Sequence, residues 1–325
     1  MPDRMAVARL SGPRDIRVRD EPRPDATGTD VLVRVTSVGL CGSDRHWFED
    51  GAIGDAAVDA PLVLGHEFAG VIATGERAGQ RVVADPAIPC GRCLTCATGR
   101  VELCPNGRFA GYPGTDGALQ QYLAWPPDLL LPVPATIDDD EASLIEPLGI
   151  ALHAVHLAET DPRARVAVIG AGPIGQLVVR ALVREGISDI AVAEPLSHRL
   201  ELAESAGARS VKDADEVDVA IETAGEDAAV DAAVEHVAPG GRVVLVGIPN
   251  DDRTTFSASV ARRKGLTLQL CRRMRPTDLA RAIELVGAGA IRLDGLVSHV
   301  YELRDAAAAF ETLWRRDGHK VVVHP

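Results

Sequence analysis

Long apolar runs are missing from this 325-residue sequence, and no segment approaches the roughly 20 apolar residues of a membrane-spanning helix. The first ten residues interrupt short apolar stretches with Asp3, Arg4 and Arg9, so a secretion signal is not expected either. A net positive charge is also missing: 47 acidic residues outnumber 34 Lys and Arg, and the net charge of -13 argues against nucleic acid or an anionic membrane as the partner. We expect a small-molecule partner.

Cysteine occurs only six times, and in a chain without an expected secretion signal these cysteines are not expected to form disulfides. Five of the six cysteines fall into two motifs whose spacing suits a metal rather than a disulfide. Free thiols that can bind metal are typical of a reducing compartment, so the sequence predicts a cytoplasmic protein.

The pattern of short segments predicts two kinds of architecture in one chain. Up to about residue 136, Gly and Pro separate short alternating runs at 31–35, 81–84 and 119–124, which predicts an all-β module. From about residue 141, apolar strands alternate with glycine turns and amphipathic helices, which predicts a doubly wound parallel sheet. Its predicted strands lie at 165–169, 190–193, 217–221, 241–246 and 266–271. After about residue 291 the β pattern returns.

A glycine-rich turn follows the first of these predicted parallel strands and opens a helix. It has the G-x-G-x-x-G form, and its candidate cofactor-binding residues are Gly170, Gly172, Pro173, Ile174 and Gly175. In this context the glycines allow a tight turn and close approach of a pyrophosphate to the helix N-terminus. The alternative is a glycine turn that binds nothing.

An acidic residue at the end of the next strand indicates which nicotinamide cofactor is preferred. Glu194 lies 19 residues beyond Gly175, where a carboxylate can bind both ribose hydroxyls and repel a 2′-phosphate. NAD is therefore favoured over NADP. Arg199 is also a candidate cofactor-binding residue, because it could pair with a 2′-phosphate.

Four cysteines are spaced C-x2-C-x2-C-x7-C in a loop at about 88–106. They are Cys90, Cys93, Cys96 and Cys104. This spacing predicts a tetrahedral zinc site, and four thiolates leave no position open for a substrate, so the role would be structural. An iron–sulfur cluster is the alternative, since it is also held by thiolates.

A second set of possible ligands is dispersed along the chain. Cys41, His66, Glu67 and Glu146 carry groups that zinc accepts, but their spacing alone does not bring them together. Each has a simpler interpretation: Cys41 as a buried apolar residue, His66 as a core histidine, and Glu146 as a carboxylate at a helix start.

Five motifs together resemble the zinc-containing medium-chain alcohol dehydrogenase family over essentially the whole chain. They are Val38-Gly-Leu-Cys-Gly-Ser-Asp-Arg-His46, Leu64-Gly-His-Glu-Phe68, the four-cysteine loop, Glu146-Pro-Leu148 and Gly170-Ala-Gly-Pro-Ile-Gly175. Through Ser43 and Gly51-Ala-Ile-Gly-Asp55 the sequence is most similar to the polyol branch, which includes sorbitol and xylitol dehydrogenases.

The resemblance implies a GroES-like catalytic domain at 1–147, a Rossmann domain at 148–287 and a return segment of the catalytic domain at 288–325. It implies two zincs per chain, with Cys41, His66 and Glu67 as catalytic-zinc ligands and Glu146 holding the zinc or its water. Ser43 and His46 would carry the released proton. We expect NAD-dependent oxidation of a secondary alcohol of a small polyol.

Substrate residues follow from the same resemblance: Trp47, Phe109 and Tyr112 would form the pocket wall, and Arg273 could bind a distal hydroxyl. Threonine, sugar and aminocyclitol dehydrogenases share this chemistry and are alternatives. A non-catalytic nicotinamide-binding protein is an alternative of another class. The apolar segment 266–271 would leave an open sheet edge, which predicts a homodimer or homotetramer.

Overall fold

The computed structural model describes residues 1–212, 216–249 and 253–325. The chain forms two compact units. The first unit comprises Met1–Glu146, Arg275–Gly287 and Val297–Pro325, and the second comprises Pro147–Met274 and Ala288–Leu296. The domain limits predicted from the sequence, at 147/148 and 287/288, stay a prediction.

Short strands dominate the N-terminal part of the first unit. Its elements are β1 (Arg4–Gly12), β2 (Asp15–Pro22), β3 (Val31–Gly39), α1 (Gly42–Asp50), β4 (Ala52–Ile53), β5 (Ala56–Ala57), β6 (Leu62–Val63), β7 (Glu67–Ile72), β8 (Arg81–Ala84), β9 (Ala87–Ile88), α2 (Leu94–Ala97), β10 (Arg108–Phe109), β11 (Tyr122–Trp125), β12 (Leu130–Pro132), α3 (Asp139–Ser143) and α4 (Ile145–Ala158). Short 3-10 turns lie at Val101–Leu103 and Pro127–Leu129. The helix α4 begins in this unit and continues into the second.

The remaining elements alternate between strand and helix before the chain returns to the first unit. They are β13 (Arg165–Ile169), α5 (Pro173–Arg184), β14 (Asp189–Ala193), α6 (Ser197–Ser205), β15 (Arg209–Ser210), β16 (Val217–Glu222), α7 (Asp227–His236), β17 (Val237–Leu245), α8 (Ala258–Lys264), β18 (Thr267–Leu270), α9 (Pro276–Gly287), β19 (Val297–Glu302), a 3-10 turn at Leu303–Asp305, α10 (Ala306–Trp314) and β20 (Lys320–His324).

A seven-stranded sheet organises the first unit, in the order β12-β8-β7-β3-β20-β19, with β11 also paired to β3. The C-terminal strand β20 lies beside β3, so the last residues of the chain complete the sheet built by the first. Aromatic side chains fill the core: Phe48 packs on Phe310, and Phe68 meets Trp125 edge to face. This core fixes the ends of β3 and β7, where the candidate metal ligands lie.

The second unit contains a six-stranded sheet in the order β15-β14-β13-β16-β17-β18, and every strand pair is parallel. Numbered from β13, this is the 3-2-1-4-5-6 order of a doubly wound dinucleotide-binding fold. The predicted fold class is therefore confirmed. Successive residues of its central strands, such as Val166 to Ile169 of β13, are buried, as parallel strands covered on both faces require.

Three predicted strand boundaries differ from the structure by three or more residues, and one of these strands, predicted at 31–35, continues to Gly39. The strand predicted at 119–124 begins only at Tyr122, because the N–H of Gln120 bonds to the carbonyl of Ala118 and bends the chain there. The strand predicted from residue 241 begins earlier, at Val237, through a pairing with Val217. Within the described ranges, no helix combines the length and apolar character needed to cross a bilayer.

Candidate metal centres and cofactor site

Three of the dispersed candidate ligands come together in the first unit. One ligand atom each from Cys41, His66 and Glu67 lies within 4.8 Å of the others. Cys41 precedes α1 just after β3 ends, and Glu67 begins β7, which pairs with β3 through Gly39. The ends of two neighbouring strands therefore bring sulfur, nitrogen and oxygen donors together, and this mixed set suits a zinc with an open position.

Asp44 is a residue of this cluster that the sequence analysis did not single out. Its side chain is fully buried, and Oδ2 accepts a hydrogen bond of 2.9 Å from the backbone N–H of Cys41. Its Oδ1 accepts the N–H of Gly65 at 3.4 Å and lies 3.8 Å from Nδ1 of His66. Such a carboxylate orients a metal-binding histidine. The sequence signal was an acid three residues after the helix-capping position.

Lys320 is a second residue that the sequence analysis left without a role. It begins β20, its side chain is only 1% exposed, and its ammonium group forms an ion pair with Oε2 of Glu67. A single lysine before a run of valines gives no signal of such a contact. The pairing follows from the sheet order and not from any local motif.

Glu146 lies in the first turn of α4 and is only 6% exposed. Burial raises the pKa of its carboxyl to about 8; His66 opposes this shift, whereas Glu67 and Cys41 add to it. Burial, followed by the charge of Glu67, likewise raises the pKa of Cys41 to about 12. Acidic groups crowded into a buried site favour a bound cation, which would lower both values.

The four-cysteine loop also assembles as predicted. Sulfur atoms of Cys90, Cys93, Cys96 and Cys104 all lie within 4.8 Å of one another, and none of the four is in a disulfide. The Sγ atom of Cys93 is 3.4 Å from that of Cys96 and 3.7 Å from that of Cys104. A hydrogen bond with Thr95 is the main cause that lowers the pKa of Cys93 to about 6. Four convergent thiols fit a closed structural zinc site.

The predicted proton-carrying residues lie on α1, next to the first cluster. Ser43 is half-buried, lies two residues from Cys41, and its hydroxyl slightly offsets the rise in the pKa of that thiol. His46 is 8% exposed and lies on the helix, not in a surface loop, with Nδ1 4.0 Å from a carboxylate oxygen of Asp50. Burial lowers the pKa of His46, and the charge of Arg45 lowers it further. The imidazole is thereby kept neutral and able to accept a proton.

Of the four predicted substrate residues, one contacts the cluster, two contact each other in the same unit, and the fourth lies in the other unit. Phe109 packs against His66 with ring centroids 5.2 Å apart. Trp47 is buried and meets Tyr112 edge to face at 5.7 Å, while Tyr112 keeps 42% of its surface exposed. Arg273 follows β18 with a left-handed backbone, φ 53°, and its role stays a prediction.

The glycine turn connects β13 to α5 in the second unit. Gly172 is the residue before the helix, Pro173 occupies its first position and Ile174 the next. A Cβ atom on Gly175 would lie 2.0 Å from the carbonyl oxygen of Gly170, so only glycine allows the turn to close on the helix. The cradle thus exposes a helix N-terminus, which favours a phosphate group.

Glu194 directly follows β14 and lies against this turn. Its carboxylate accepts backbone hydrogen bonds from Ala171 at 2.7 Å and from Leu196 at 3.0 Å. Arg199 lies on α6, and its Nη1 atom would be 3.7 Å from a Cβ placed on Gly172. The acidic Glu194 and the basic Arg199 therefore both lie at the edge of the phosphate cradle. Residues in this position determine the preference between NAD and NADP in such folds.

Comparison with known proteins identifies both units. Residues 27–135 match the model of the alcohol dehydrogenase GroES-like domain, and residues 173–288 match that of the zinc-binding dehydrogenases. The chain is 33% identical over 348 residues to sorbitol dehydrogenase of Bacillus subtilis, covering 100% of this chain and 98% of that protein. It is 33% identical to a protein named probable D-xylulose reductase A of Aspergillus clavatus, covering 97% and 95%.

Solved structures agree with this family. L-idonate 5-dehydrogenase from Escherichia coli has a TM-score of 0.92 at 27% identity, covering 99% of this chain and 98% of that one. A zinc-binding dehydrogenase of Sinorhizobium meliloti bound to NADP has a TM-score of 0.90 at 29% identity, and both chains are fully covered. A dehydrogenase of Escherichia coli CFT073 complexed with NADH has a TM-score of 0.89 at 26% identity over both full chains.

Proposed function

The chain belongs to the zinc-containing medium-chain alcohol dehydrogenase family, and on that premise we propose that it oxidises a secondary hydroxyl group of a small polyol with NAD. The observation that carries the proposal is the cluster of Cys41, His66 and Glu67, which combines three different donor atoms and buries two of the three residues. A non-catalytic nicotinamide-binding protein would have no use for such a cluster.

In this proposal Cys41, His66 and Glu67 hold the catalytic zinc, and Glu146 holds either the zinc or its water. When bound, the zinc supplies Lewis-acid polarisation of the alcohol, and the nicotinamide accepts the hydride. Asp44 holds the backbone of Cys41 and faces His66, so two ligands are oriented by one buried carboxylate. The four-cysteine loop holds the structural zinc.

Oxidation of an alcohol releases a proton, and Ser43 and His46 are proposed to carry it away. Ser43 lies two residues after the proposed ligand Cys41, in the first turn of α1. His46 follows one helical turn later on the same helix. Because burial keeps the imidazole neutral, His46 accepts a proton rather than repelling it.

The glycine turn is proposed to bind the cofactor pyrophosphate, and Glu194 the adenosine ribose. A carboxylate beside the cradle disfavours a 2′-phosphate, so the proposed cofactor is NAD. Arg199 lies against Gly172 and would favour any additional phosphate oxygen. We therefore expect NADP to be used less efficiently but not excluded.

The polyol assignment is supported by the names of the relatives, sorbitol dehydrogenase and D-xylulose reductase, at 33% identity. Trp47, Phe109 and Tyr112 are proposed to bound the substrate pocket, with the Tyr112 hydroxyl offering a polar group. Arg273 is proposed to bind a distal hydroxyl. The remaining proposals are a homodimer or homotetramer in the cytoplasm, with domains at 1–147, 148–287 and 288–325.

Initial rates with a panel of alcohols test the proposal. Sorbitol, xylitol, 2,3-butanediol, L-idonate, threonine, glucose and an aminocyclitol are each offered with NAD and with NADP. The expected result is the highest kcat/KM for a polyol with NAD. A preference for threonine, a sugar or an aminocyclitol would contradict the substrate assignment, and no turnover of any alcohol by zinc-loaded protein would favour the binding-protein alternative.

A further inference from the structure

The buried lysine beside the catalytic cluster carries a further inference, which rests on the zinc site proposed above. Lysine is rarely buried unless its charge is paired. The side chains of Lys320 and Glu67 form an ion pair and are each only 1% exposed. Glu67 is also a candidate zinc ligand. The ammonium group is therefore a fixed cation in direct contact with a candidate ligand of the metal.

Three strands and one glycine create this contact. Gly39 of β3 lies opposite Glu67 of β7 on one side and Val322 of β20 on the other. A Cβ on Gly39 would lie 2.5 Å from Oε2 of Glu67 and 2.7 Å from Cε of Lys320. Only a residue without a side chain leaves space for the lysine to cross the middle strand and reach the carboxylate. The pair is thus built into the sheet.

The charges around Glu67 explain what the lysine does. Cys41, Glu67 and Glu146 place three acidic groups in one buried site, and a buried carboxylate without a partner is strongly unfavourable. Without a metal, Lys320 supplies the compensating charge. If a metal binds, the Glu67 carboxylate is shared between the metal and the Lys320 ammonium group. Each cation is then stabilised less by the carboxylate than it would be alone.

We propose that Lys320 is a positioning residue that acts as a resident cation for Glu67. It keeps the carboxylate in the site before zinc arrives and competes with zinc for its charge afterwards. The catalytic zinc is consequently more readily exchanged than a zinc held by four thiolates. The Lys320 charge is expected to stabilise the metal-free protein more than the metal-loaded protein. By thermodynamic linkage, this difference lowers the affinity of the site for the metal.

Replacing Lys320 with methionine tests the proposal, because methionine keeps most of the length and removes the charge. Lys320→Met should lower the melting temperature of protein stripped of its catalytic zinc more than that of zinc-loaded protein. Loss of that zinc to a chelator should slow about tenfold or more. Lys320→Arg, which keeps the charge, should restore most of both properties.

Lys264 provides the matched control. Its ammonium donates to the carbonyls of Val234, Glu235 and Val237 in the second unit, whereas every proposed metal ligand belongs to the first. Lys264→Met should lower the melting temperature equally with and without the catalytic zinc, and leave zinc loss to the chelator unchanged.

Zinc counts keep this inference distinguishable from the proposed function. If Lys320→Met does not fold without zinc, the chelation rate of the zinc-loaded variant alone decides. Equal destabilisation in both states, as in Lys264→Met, or faster zinc loss would overturn the role of Lys320 while leaving the zinc site intact. A wild-type protein with no chelatable second zinc would overturn both the inference and the proposed function.

Discussion

The carboxylate of Glu194 accepts a hydrogen bond of 2.7 Å from the backbone N–H of Ala171, so the acid at the end of β14 is fixed on the glycine turn itself. Its second oxygen accepts the N–H of Leu196 at 3.0 Å. The side chain is therefore held at the edge of the phosphate cradle by backbone contacts, in the position where a ribose is expected.

Glu194→Ala should raise the KM for NAD about tenfold or more, since hydrogen bonds to a charged group contribute about 1.5–3 kcal/mol. The preference for NAD over NADP should narrow, because repulsion of the 2′-phosphate is lost as well. Glu194→Gln is the matched control: it removes the charge but keeps an acceptor, so discrimination should fall more than NAD binding. Unchanged kinetics of Glu194→Ala with both cofactors would refute the assignment.

Glu146→Gln separates a metal role from a helix-start role. A carboxylate that only caps α4 contributes about 0.3–1 kcal/mol, and its loss would affect stability but not turnover. A zinc or zinc-water partner matters about 10–100-fold in affinity or activity. We expect the larger loss in kcat, together with a shifted pH–rate profile.

The pKa of Glu146, raised by burial to about 8, sharpens this test. At neutral pH without a cation the carboxyl is largely protonated, and glutamine closely mimics that form. The melting temperature of protein stripped of its catalytic zinc should therefore hardly change. Full activity of Glu146→Gln with an unmoved pH profile would leave only Cys41, His66 and Glu67 at the metal.

His46 should give the enzyme a pH dependence below neutrality. Burial depresses its folded-state pKa below the ordinary 6.5, so its stabilising contribution is present above 6.5 and is lost as the pH falls through the lower folded value. His46→Gln should reduce kcat by up to about 100-fold and flatten the acidic limb of the profile. The melting temperature of His46→Gln should also fall less on acidification than that of the wild type. An acidic limb identical to that of the wild type would exclude His46 from proton transfer.

The open edge of the parallel sheet should be a subunit interface. The edge strand β18 ends at Leu270, which is 72% exposed, and an apolar strand edge is a site for pairing with a second copy. Light scattering at micromolar concentration should give a dimer or tetramer, and Leu270→Glu should reduce its mass. Val18→Glu, at another exposed apolar residue, should leave the mass unchanged. A wild-type monomer would contradict the prediction.

Much of the fold was predictable because its signals are local. Alternation and glycine turns located β8 and β13 to the residue, and the glycine motif correctly placed a helix directly after its turn. The four cysteines were predictable because their ligands are close in sequence. The N-terminal hairpin of β1 and β2 was not predicted, since arginine interrupts the apolar pattern of β1 and charged residues dominate β2.

The catalytic cluster needed more than local signals. Cys41 and Glu67 meet only because β3 and β7 are neighbours, which spacing does not reveal; the family resemblance supplied that information. Lys320 was missed because its contact depends on β20 pairing with β3 on the side opposite β7, and it lies 253 residues along the chain from Glu67. Local sequence patterns do not show which distant strands become neighbours in a sheet, and both contacts depend on that order.

Zinc content and turnover, followed together on one sample during chelation, test the central claim most directly. The freshly prepared protein should contain about two zincs per chain, one in a closed thiolate site that resists removal and one in the Cys41 cluster that does not. Oxidation of the best polyol should fall in proportion to the loss of about one zinc and return when zinc is added back. Full activity after the more labile zinc has gone, or at most one zinc in the fresh protein, would contradict this account.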